Sequence, residues 1–244
     1  MAEDPRIKAG AIVLAGGSSR RMEGVVEDKI LWPLQGRAVI IHSIEAFIKS
    51  GVISQIILVC KDDAQMTLIA NEIQRCSLDD FDITYCMGGK ERQNSVFNGL
   101  QQLDEQFDHV FIHDAARPNI NSTIIAKMNE ILVNENAVSL AHRVTDTVKK
   151  CSEEKDPTQE PVQLIDLDRK TLWAMETPQA FRRKDIFEAY TRVFENNIFI
   201  TDDNAAFEYN GGKILILENP DPNPKLTTPD DLNYLNYIFS KEKL

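Results

Sequence analysis

The chain has 244 residues, of which 43% are hydrophobic and 27% are charged, so it can bury the core of one large or two small globular domains. Its formal net charge of −11 argues against sequence-independent nucleic-acid binding, which requires a basic surface that displaces counterions from many phosphates. No apolar run approaches transmembrane length, and the first ten residues lack the hydrophobic core of a signal peptide. Four cysteines without C-x-x-C spacing and four scattered histidines give no zinc-site pattern. We therefore expect a cytoplasmic protein with reduced thiols that binds neither membranes nor nucleic acid.

The first predicted element is a buried strand that ends in a glycine-rich loop. The run Ala9–Leu14 is short and apolar, as is typical of an interior strand of a parallel sheet. Gly16 and Gly17, which follow Ala15, lack a Cβ, so their backbone N–H groups can approach an anion closely. Positive charges follow at Arg20, Arg21 and Lys29. A glycine pair is also typical of a plain tight turn, but the added charges favour a polyphosphate site, in a pattern that is neither G-x-x-x-x-G-K-[ST] nor G-x-G-x-x-G.

Predicted helices and strands then alternate as far as residue 141. Helical spacing of apolar residues predicts the helices, and short apolar runs between turn residues predict the strands. After an extended piece at 30–34 and a turn at 35–36, the predicted helices are 39–50, 63–75, 91–103 and 124–134, and the predicted strands are 53–60, 83–87, 109–113 and 137–141. Such alternation with short connections is typical of a parallel sheet with helices on both faces.

Two later loops at strand ends also carry groups that can bind a ligand. Gly88 and Gly89 precede the helix that begins near Glu91, whose free N–H groups would face the ligand. Asp114 and Arg117 follow the next predicted strand. Because ligands of open α/β sheets bind outside the carboxyl ends of the strands, the three loops together predict one shared site.

The alternation stops after residue 143. Residues 144–150 alternate between apolar and polar, 151–161 are polar with two prolines, and 162–167 are again extended. This pattern predicts a hairpin that projects from the sheet. Because such a hairpin exposes strand edges, we expect it to form a subunit interface, with a mobile insertion as the alternative.

The last third of the chain contains three more predicted helices. Residues 168–173 return to the sheet, and residues 177–181 lead into a helix at 184–195. The last predicted strand is 213–217, and alternate prolines exclude a helix at 219–225. Thr201 is predicted as the N-cap of the next helix, with Asp202 and Asp203 in its first turn. Pro229 is predicted at the first position of the terminal helix.

Eight motifs of the chain are found in one family, in the same order and at about the same spacing. They are LAGGSSRRM with Lys29, GGKERQNSV, HDAARP, TDTVK, DRKTLW, TPQAF, TDDNAAFE and NPKLTTPDDL. Over nearly its whole length the chain resembles the cytidylyltransferases that act on polyol phosphates, most of all those of 2-C-methyl-D-erythritol 4-phosphate in the non-mevalonate isoprenoid pathway. Departures from the family's pattern occur at Asp28, where proline is common, at Lys90, where the residue is often acidic or small, and at Glu176, where glutamine is common.

The resemblance implies a fold and an assembly. The fold would be the Rossmann-like fold of nucleotide-diphospho-sugar transferases, with a mixed, mainly parallel sheet and helices on both faces. The chain would form a single cytidylyltransferase domain over residues 1–244. A protruding β-arm at about 143–170 would join two subunits into a homodimer.

The resemblance also implies a reaction, in which a phosphate oxygen of the acceptor attacks the α-phosphorus of CTP and releases pyrophosphate. No general base is needed for an already ionised nucleophile, so catalysis would depend on positioning and on positive charge. The implied catalytic residues are Arg21, Lys29, Lys225 and Arg169. The implied binding residues are Ala15, Gly16 and Gly17 in the phosphate loop, Gly89 and Ser95 at cytosine and ribose, Thr147 with Arg169 and Lys225 at the acceptor phosphate, with Arg117 and Asp114 nearby. Asp114 and Asp221 are candidate ligands of Mg²⁺, although a carboxylate such as Asp114 can also simply cap a loop.

Two other functions remain open from the sequence. Ribitol-5-phosphate cytidylyltransferases of wall polymer synthesis share most of these motifs, and the acceptor depends on a few contacts of the arm. A non-catalytic nucleotide-sensing module on the same fold is the second alternative, against which the combination of Arg21, Lys29 and Lys225 argues.

Overall fold

The computed structural model describes residues 8–17, 28–152, 156 and 158–241. Its strands are β1 Ala9–Leu14, β2 Pro33–Leu34, β3 Arg37–Ala38, β4 Ile53–Cys60, β5 Ile83–Met87, β6 His109–Asp114, β7 Ala137–Arg143, β8 Lys149–Cys151, β9 Leu164–Asp166, β10 Trp173–Arg182 and β11 Leu215–Glu218. Its helices are α1 Val39–Lys49, α2 Asp63–Arg75, α3 Arg92–Gln102, α4 Ser122–Leu132, α5 Arg183–Glu195, α6 Asp203–Tyr209 and α7 Pro229–Lys241. No helix in this described part of the chain has the length and apolar character needed to cross a membrane.

Seven of the eleven described strands form a central sheet in the order β11-β7-β10-β6-β1-β4-β5, and β2 pairs with β3 in a small sheet of its own. Strands β6, β1, β4 and β5 are parallel, so their carboxyl ends lie along one edge of the sheet. Strand β10 runs antiparallel between β6 and β7, and β11 is parallel to β7. The sheet is therefore mixed and mainly parallel, which confirms the predicted fold class.

Helices cover both faces of this sheet, so the interior strands are apolar on both sides. Because side chains alternate along a strand, Val13 of β1 packs into one apolar cluster with Phe47 and other residues of α1, α2, α4 and α7. The next residue back, Ile12, packs into a second cluster with Tyr190 and other residues of α3, α5 and α6. Strand β1, whose end forms the glycine-rich loop, is thus clamped from both faces.

The predicted hairpin is present in the structure. Strands β8 and β9 pair antiparallel in a two-stranded sheet of their own, with Lys149 opposite Asp166 and Cys151 opposite Leu164. The segment that links them includes residues 153–155 and 157, which lie outside the described part of the chain.

Three local predictions were wrong. Residues 173–182 form β10, a ten-residue strand, where the sequence indicated only a lead-in to a helix. Pro178 and the polar residues beside it hide the apolar pattern of a strand, and the pairing register shifts between Met175 and Gln179. The N-cap of α6 is Asp202, whose carboxylate accepts from the amide of Ala205, and not Thr201. The piece predicted as extended at 30–34 begins with a 3-10 turn at Lys29–Leu31 before β2.

Candidate active site

A cavity of about 840 Å³ lies at the carboxyl ends of β1, β4, β5 and β6. Such a position is where ligands of open α/β sheets bind. Eight of the residues singled out in the sequence line it together: Ala15, Gly16, Gly17, Lys29, Gly89, Ser95, Asp114 and Lys225. The three loops therefore line one cavity, and their use as a ligand site stays a prediction.

The glycine-rich loop forms one wall of this cavity. The amide of Ala15 donates to the carbonyl of Val59 (2.9 Å) and so continues the β1–β4 ladder, while the amide of Gly17 donates to the carbonyl of Ala15 (2.9 Å). The Gly17 amide is therefore engaged within the loop itself. A Cβ built on Gly17 would lie 3.9 Å from Cε of Lys29, so the lysine side chain runs directly beside the loop.

The second glycine pair folds tightly against the start of α3. The amide of Gly89 donates to Oγ of Ser95 (3.0 Å), and the amide of Gly88 donates to the carbonyl of Cys60 (2.7 Å). A Cβ on Gly89 would lie only 2.2 Å from Cβ of Asn94, so the chain can take this path only with glycine there. The amino-terminal end of α3, with its partial positive charge, consequently faces the cavity.

A charged network occupies the wall formed by β6. Nζ of Lys225 lies 2.6 Å from one oxygen of Asp114, and Nε of Arg92 lies 3.5 Å from the other. The guanidinium of Arg92 also binds both carboxylate oxygens of the fully buried Asp203, at 2.9 and 2.8 Å. Burial on its own would raise the pKa of Asp114, but the charges of Arg92 and Lys225 hold it far below its usual range. Asp114 is therefore ionised, and it fixes Lys225 at the cavity wall.

The loop that carries Lys225 is tied to a buried carboxylate. Glu176 accepts hydrogen bonds from Nδ1 of His142 (2.6 Å) and from the side-chain amides of Asn219 (2.9 Å) and Asn223 (3.0 Å). The guanidinium of Arg117 donates to the carbonyl of Asn223 (2.7 Å). Arg117, predicted as a residue near the substrate, thus holds the loop that precedes Lys225.

Four predicted site residues that the structure describes do not line the cavity: Arg117, Asp221, Thr147 and Arg169. Asp221 lines a different cavity, with Arg37 and His42, and its amide donates to Oδ1 of Asn219 (3.2 Å). Thr147 and Arg169 are exposed on the arm, where Nη1 of Arg169 donates to the carbonyl of Thr145 (2.7 Å). Arg21 lies outside the described residues.

Known proteins resemble this chain over almost its entire length. A family model described as 2-C-methyl-D-erythritol 4-phosphate cytidylyltransferase matches residues 9–241. The curated protein of that name from Lachnospira eligens is 39% identical over 234 residues, which cover 95% of this chain and 98% of the relative. The protein of that name from Clostridioides difficile is 34% identical, covering 95% of this chain and 94% of the relative.

The chain belongs to the 2-C-methyl-D-erythritol 4-phosphate cytidylyltransferase family.

Solved structures agree with this assignment. The 4-diphosphocytidyl-2C-methyl-D-erythritol synthase of Anaerococcus prevotii superposes with a TM-score of 0.81 at 26% identity, covering 96% of this chain and 98% of that one. The cytidylyltransferase of Francisella tularensis superposes with a TM-score of 0.74 at 27% identity, covering 94% and 99%. The predictions of a nucleotidyltransferase and of its fold are confirmed.

The sequence did not single out Arg92, which lines the cavity of this cytidylyltransferase together with Lys90, Glu91 and Thr227. Arg92 is visible within the motif GGKERQNSV, but its partner Asp203 lies 111 residues further along the chain. Since no local pattern links two such positions, their pairing could be found only once the fold was known.

A divalent cation is implied by the family, and the residues of the cavity can be tested against it. Among the described residues, no three His, Cys, Asp or Glu side chains are grouped so as to hold a metal. Asp114 and Asp221 line two different cavities, so they do not face one ion site. Mg²⁺ is commonly held by one or two carboxylates plus substrate phosphates, and Asp114 would have to bind it alongside Lys225 and Arg92, which already face its two oxygens.

Proposed function

We propose that this protein transfers a cytidylyl group from CTP to 2-C-methyl-D-erythritol 4-phosphate. An oxygen of the acceptor phosphate attacks the α-phosphorus of CTP, the bond to the β-phosphate oxygen breaks, and pyrophosphate leaves with its electron pair. CDP-methylerythritol, an isoprenoid precursor, is the other product. The observation that carries the proposal is that Lys29, Lys225 and the glycine-rich loop line a single cavity at the carboxyl edge of the sheet.

Electrostatic repulsion is the main obstacle, because both reactants are anions. We propose that Lys29 and Lys225, with Arg21 by resemblance, stabilise the negative charge that builds up on the α-phosphate in the transition state. Asp114 has Lys225 at 2.6 Å and Arg92 beside it, so the lysine is held in place before substrate binds. Positioning of this kind lowers the barrier because little reorganisation is left for the reaction itself.

The nucleotide would lie between the two glycine pairs. Gly16 and Gly17 would bind the triphosphate, and Gly89 and Ser95 would bind cytosine and ribose. A small slot lined by backbone groups at Gly89 would favour a pyrimidine over a purine. Mg²⁺, when bound by Asp114 and the phosphates of CTP, would neutralise part of their charge.

The acceptor site would be completed by a second subunit. Arg169 and Thr147 lie on the two limbs of the arm, and the bond from Arg169 to the carbonyl of Thr145 joins those limbs two residues from Thr147. Apolar side chains on the arm are exposed, among them Leu164 at 56% and Ile165 at 46%. Both features support a homodimer in which each arm serves its partner's cavity. The four free thiols support a reducing compartment such as the cytoplasm.

The test compares two acceptors with the purified protein. With CTP and Mg²⁺, we expect methylerythritol phosphate to yield pyrophosphate and the CDP-linked product at a much higher kcat/KM than ribitol 5-phosphate. A preference for ribitol 5-phosphate would reassign the acceptor, and absence of pyrophosphate with both acceptors would refute the proposed activity.

A further inference from the structure

Three polar side chains next to the cavity form a cluster, the Gln65 cluster, which consists of Asp28, Lys61 and Gln65. The lining of the cavity, over the described residues, does not include them. They join three segments: the residue before Lys29, the end of β4, and the first turn of α2. Gln65 is 1% exposed and the Asp28 side chain 8%, so these two are shielded from water, whereas the Lys61 side chain is 37% exposed.

Gln65 uses both ends of its side-chain amide. Its Oε1 accepts from the backbone amide of Lys61 (2.8 Å), and its Nε2 donates to the carbonyl of Ala15 (3.2 Å) and to Oδ2 of Asp28 (2.6 Å). Its own backbone amide donates to the N-cap residue Asp62 (2.7 Å), which anchors it to α2. One side chain thus connects the glycine-rich loop with the segment that carries Lys29.

Asp28 connects Gln65 with the backbone next to Lys29. Its Oδ1 accepts from the amide of Ile30 (3.3 Å) and so caps the 3-10 turn that begins at Lys29, while its Oδ2 also accepts from Nζ of Lys61 (3.0 Å). The point at which the Lys29 side chain leaves the backbone is therefore fixed by Asp28. The proline common here in the family could supply none of these bonds.

We propose that Gln65 is a positioning residue that sets the distance between Lys29 and the phosphate loop. Its Nε2 donates to the carbonyl of Ala15 and to the carboxylate of Asp28 at the same time. The glycine-rich loop and the segment that carries Lys29 are therefore coupled in position. Each acceptor has a second donor, the amide of Gly17 for the Ala15 carbonyl and Nζ of Lys61 for Asp28, so loss of Gln65 would uncouple the two segments without leaving either oxygen unpaired. The inference rests on the proposed function, in which Lys29 acts on the α-phosphate.

The test is an isosteric change followed by a rescue. Gln65→Glu replaces the donor by a carboxylate that repels both Asp28 and the Ala15 carbonyl, so Lys29 should shift relative to the loop. Misplacement of about 1 Å can cost on the order of 10²-fold in rate, and we expect kcat to fall at least about tenfold while KM for CTP changes less than about threefold. Adding Asp28→Asn lets residue 28 donate to residue 65 but leaves the Ala15 carbonyl without a donor from residue 65, so we expect kcat to recover only in part, to at least about threefold above the single variant.

The matched control is the pair Gln55 and Asp82, whose side chains bind at 3.1 Å in the amino-terminal half of β4 and beside β5. Gln55→Glu should leave kcat unchanged. A wild-type kcat in Gln65→Glu overturns the inference. So does a lowered kcat in Gln65→Glu that does not rise when Asp28→Asn is added. If Gln65→Glu does not fold, Gln65→Met removes the donors without adding charge, and an unchanged kcat in that variant overturns it equally. A wild-type protein that makes no CDP-linked product would instead refute the proposed function, and the inference with it.

Discussion

Replacing the glycine at position 89 should displace the loop by a distance that the structure fixes. A Cβ there would lie 2.2 Å from Cβ of Asn94 and 3.2 Å from its backbone carbon, whereas carbon atoms pack at about 3.5 Å or more. The loop or the first turn of α3 must therefore shift by roughly 1.3 Å, the difference between the two values. Such a shift breaks the bond from the Gly89 amide to Ser95 and displaces the wall assigned to cytosine.

Gly89→Ala should lower kcat/KM for CTP by about 10-fold to 10²-fold, the usual cost of an error of about 1 Å in a site. Gln101→Ala is the control, because this exposed side chain lies in the last turn of the same helix α3 and is not among the described residues that line the cavity. We expect that variant within about threefold of wild type. Pyrophosphate release with CTP varied and the acceptor saturating measures both. Equal kinetics for the two variants would refute the steric argument.

Further predictions concern charge, assembly and pH. Lys225→Met should lower kcat by about 10²-fold to 10³-fold. It should destabilise the fold by only about 1–2 kcal/mol, because Asp114 keeps Arg92 as a partner. The control Lys49→Met removes a surface ion pair and should change neither kcat nor stability appreciably. Mixing inactive Arg169→Ala and Lys29→Ala chains under conditions of subunit exchange should restore about a quarter of wild-type activity if arms are shared, and no recovery would confine each acceptor site to one subunit. Burial lowers the pKa of His113 to about 4, so below pH 6.5 the unfolded chain binds more protons than the native one. The free energy of unfolding, measured with urea, should therefore fall by up to about 3 kcal/mol between pH 6.5 and pH 4. A free energy of unfolding that does not change over this range would contradict the prediction.

Strongly periodic segments were predictable because their local pattern and their packing agree. Strands β4 and β5 and helix α2 begin and end at the predicted residues, since apolar period, caps and turn residues all indicate the same boundaries. The grouping of three loops at one cavity was likewise predictable, because the carboxyl ends of parallel strands must share an edge.

Other features depend on contacts between distant residues. Strand β10 carries Pro178 and several polar side chains, and only its place between β6 and β7 makes it a strand. The ion pair of Arg92 with Asp203 and the bond of Gln65 to Asp28 join segments far apart in sequence. From the sequence, Asp28 was only a departure from the family's pattern beside Lys29. In the structure its carboxylate accepts hydrogen bonds from Lys61 and Gln65.

The central claim is that lysine charge at this cavity acts on the transition state and not merely on bound CTP. Its most direct test is the single-turnover rate of product formation in Lys29→Ala, measured together with the dissociation constant of CTP. The account predicts a rate about 10²-fold to 10³-fold below wild type with a dissociation constant changed less than about tenfold. A wild-type rate combined with weakened CTP binding would contradict it.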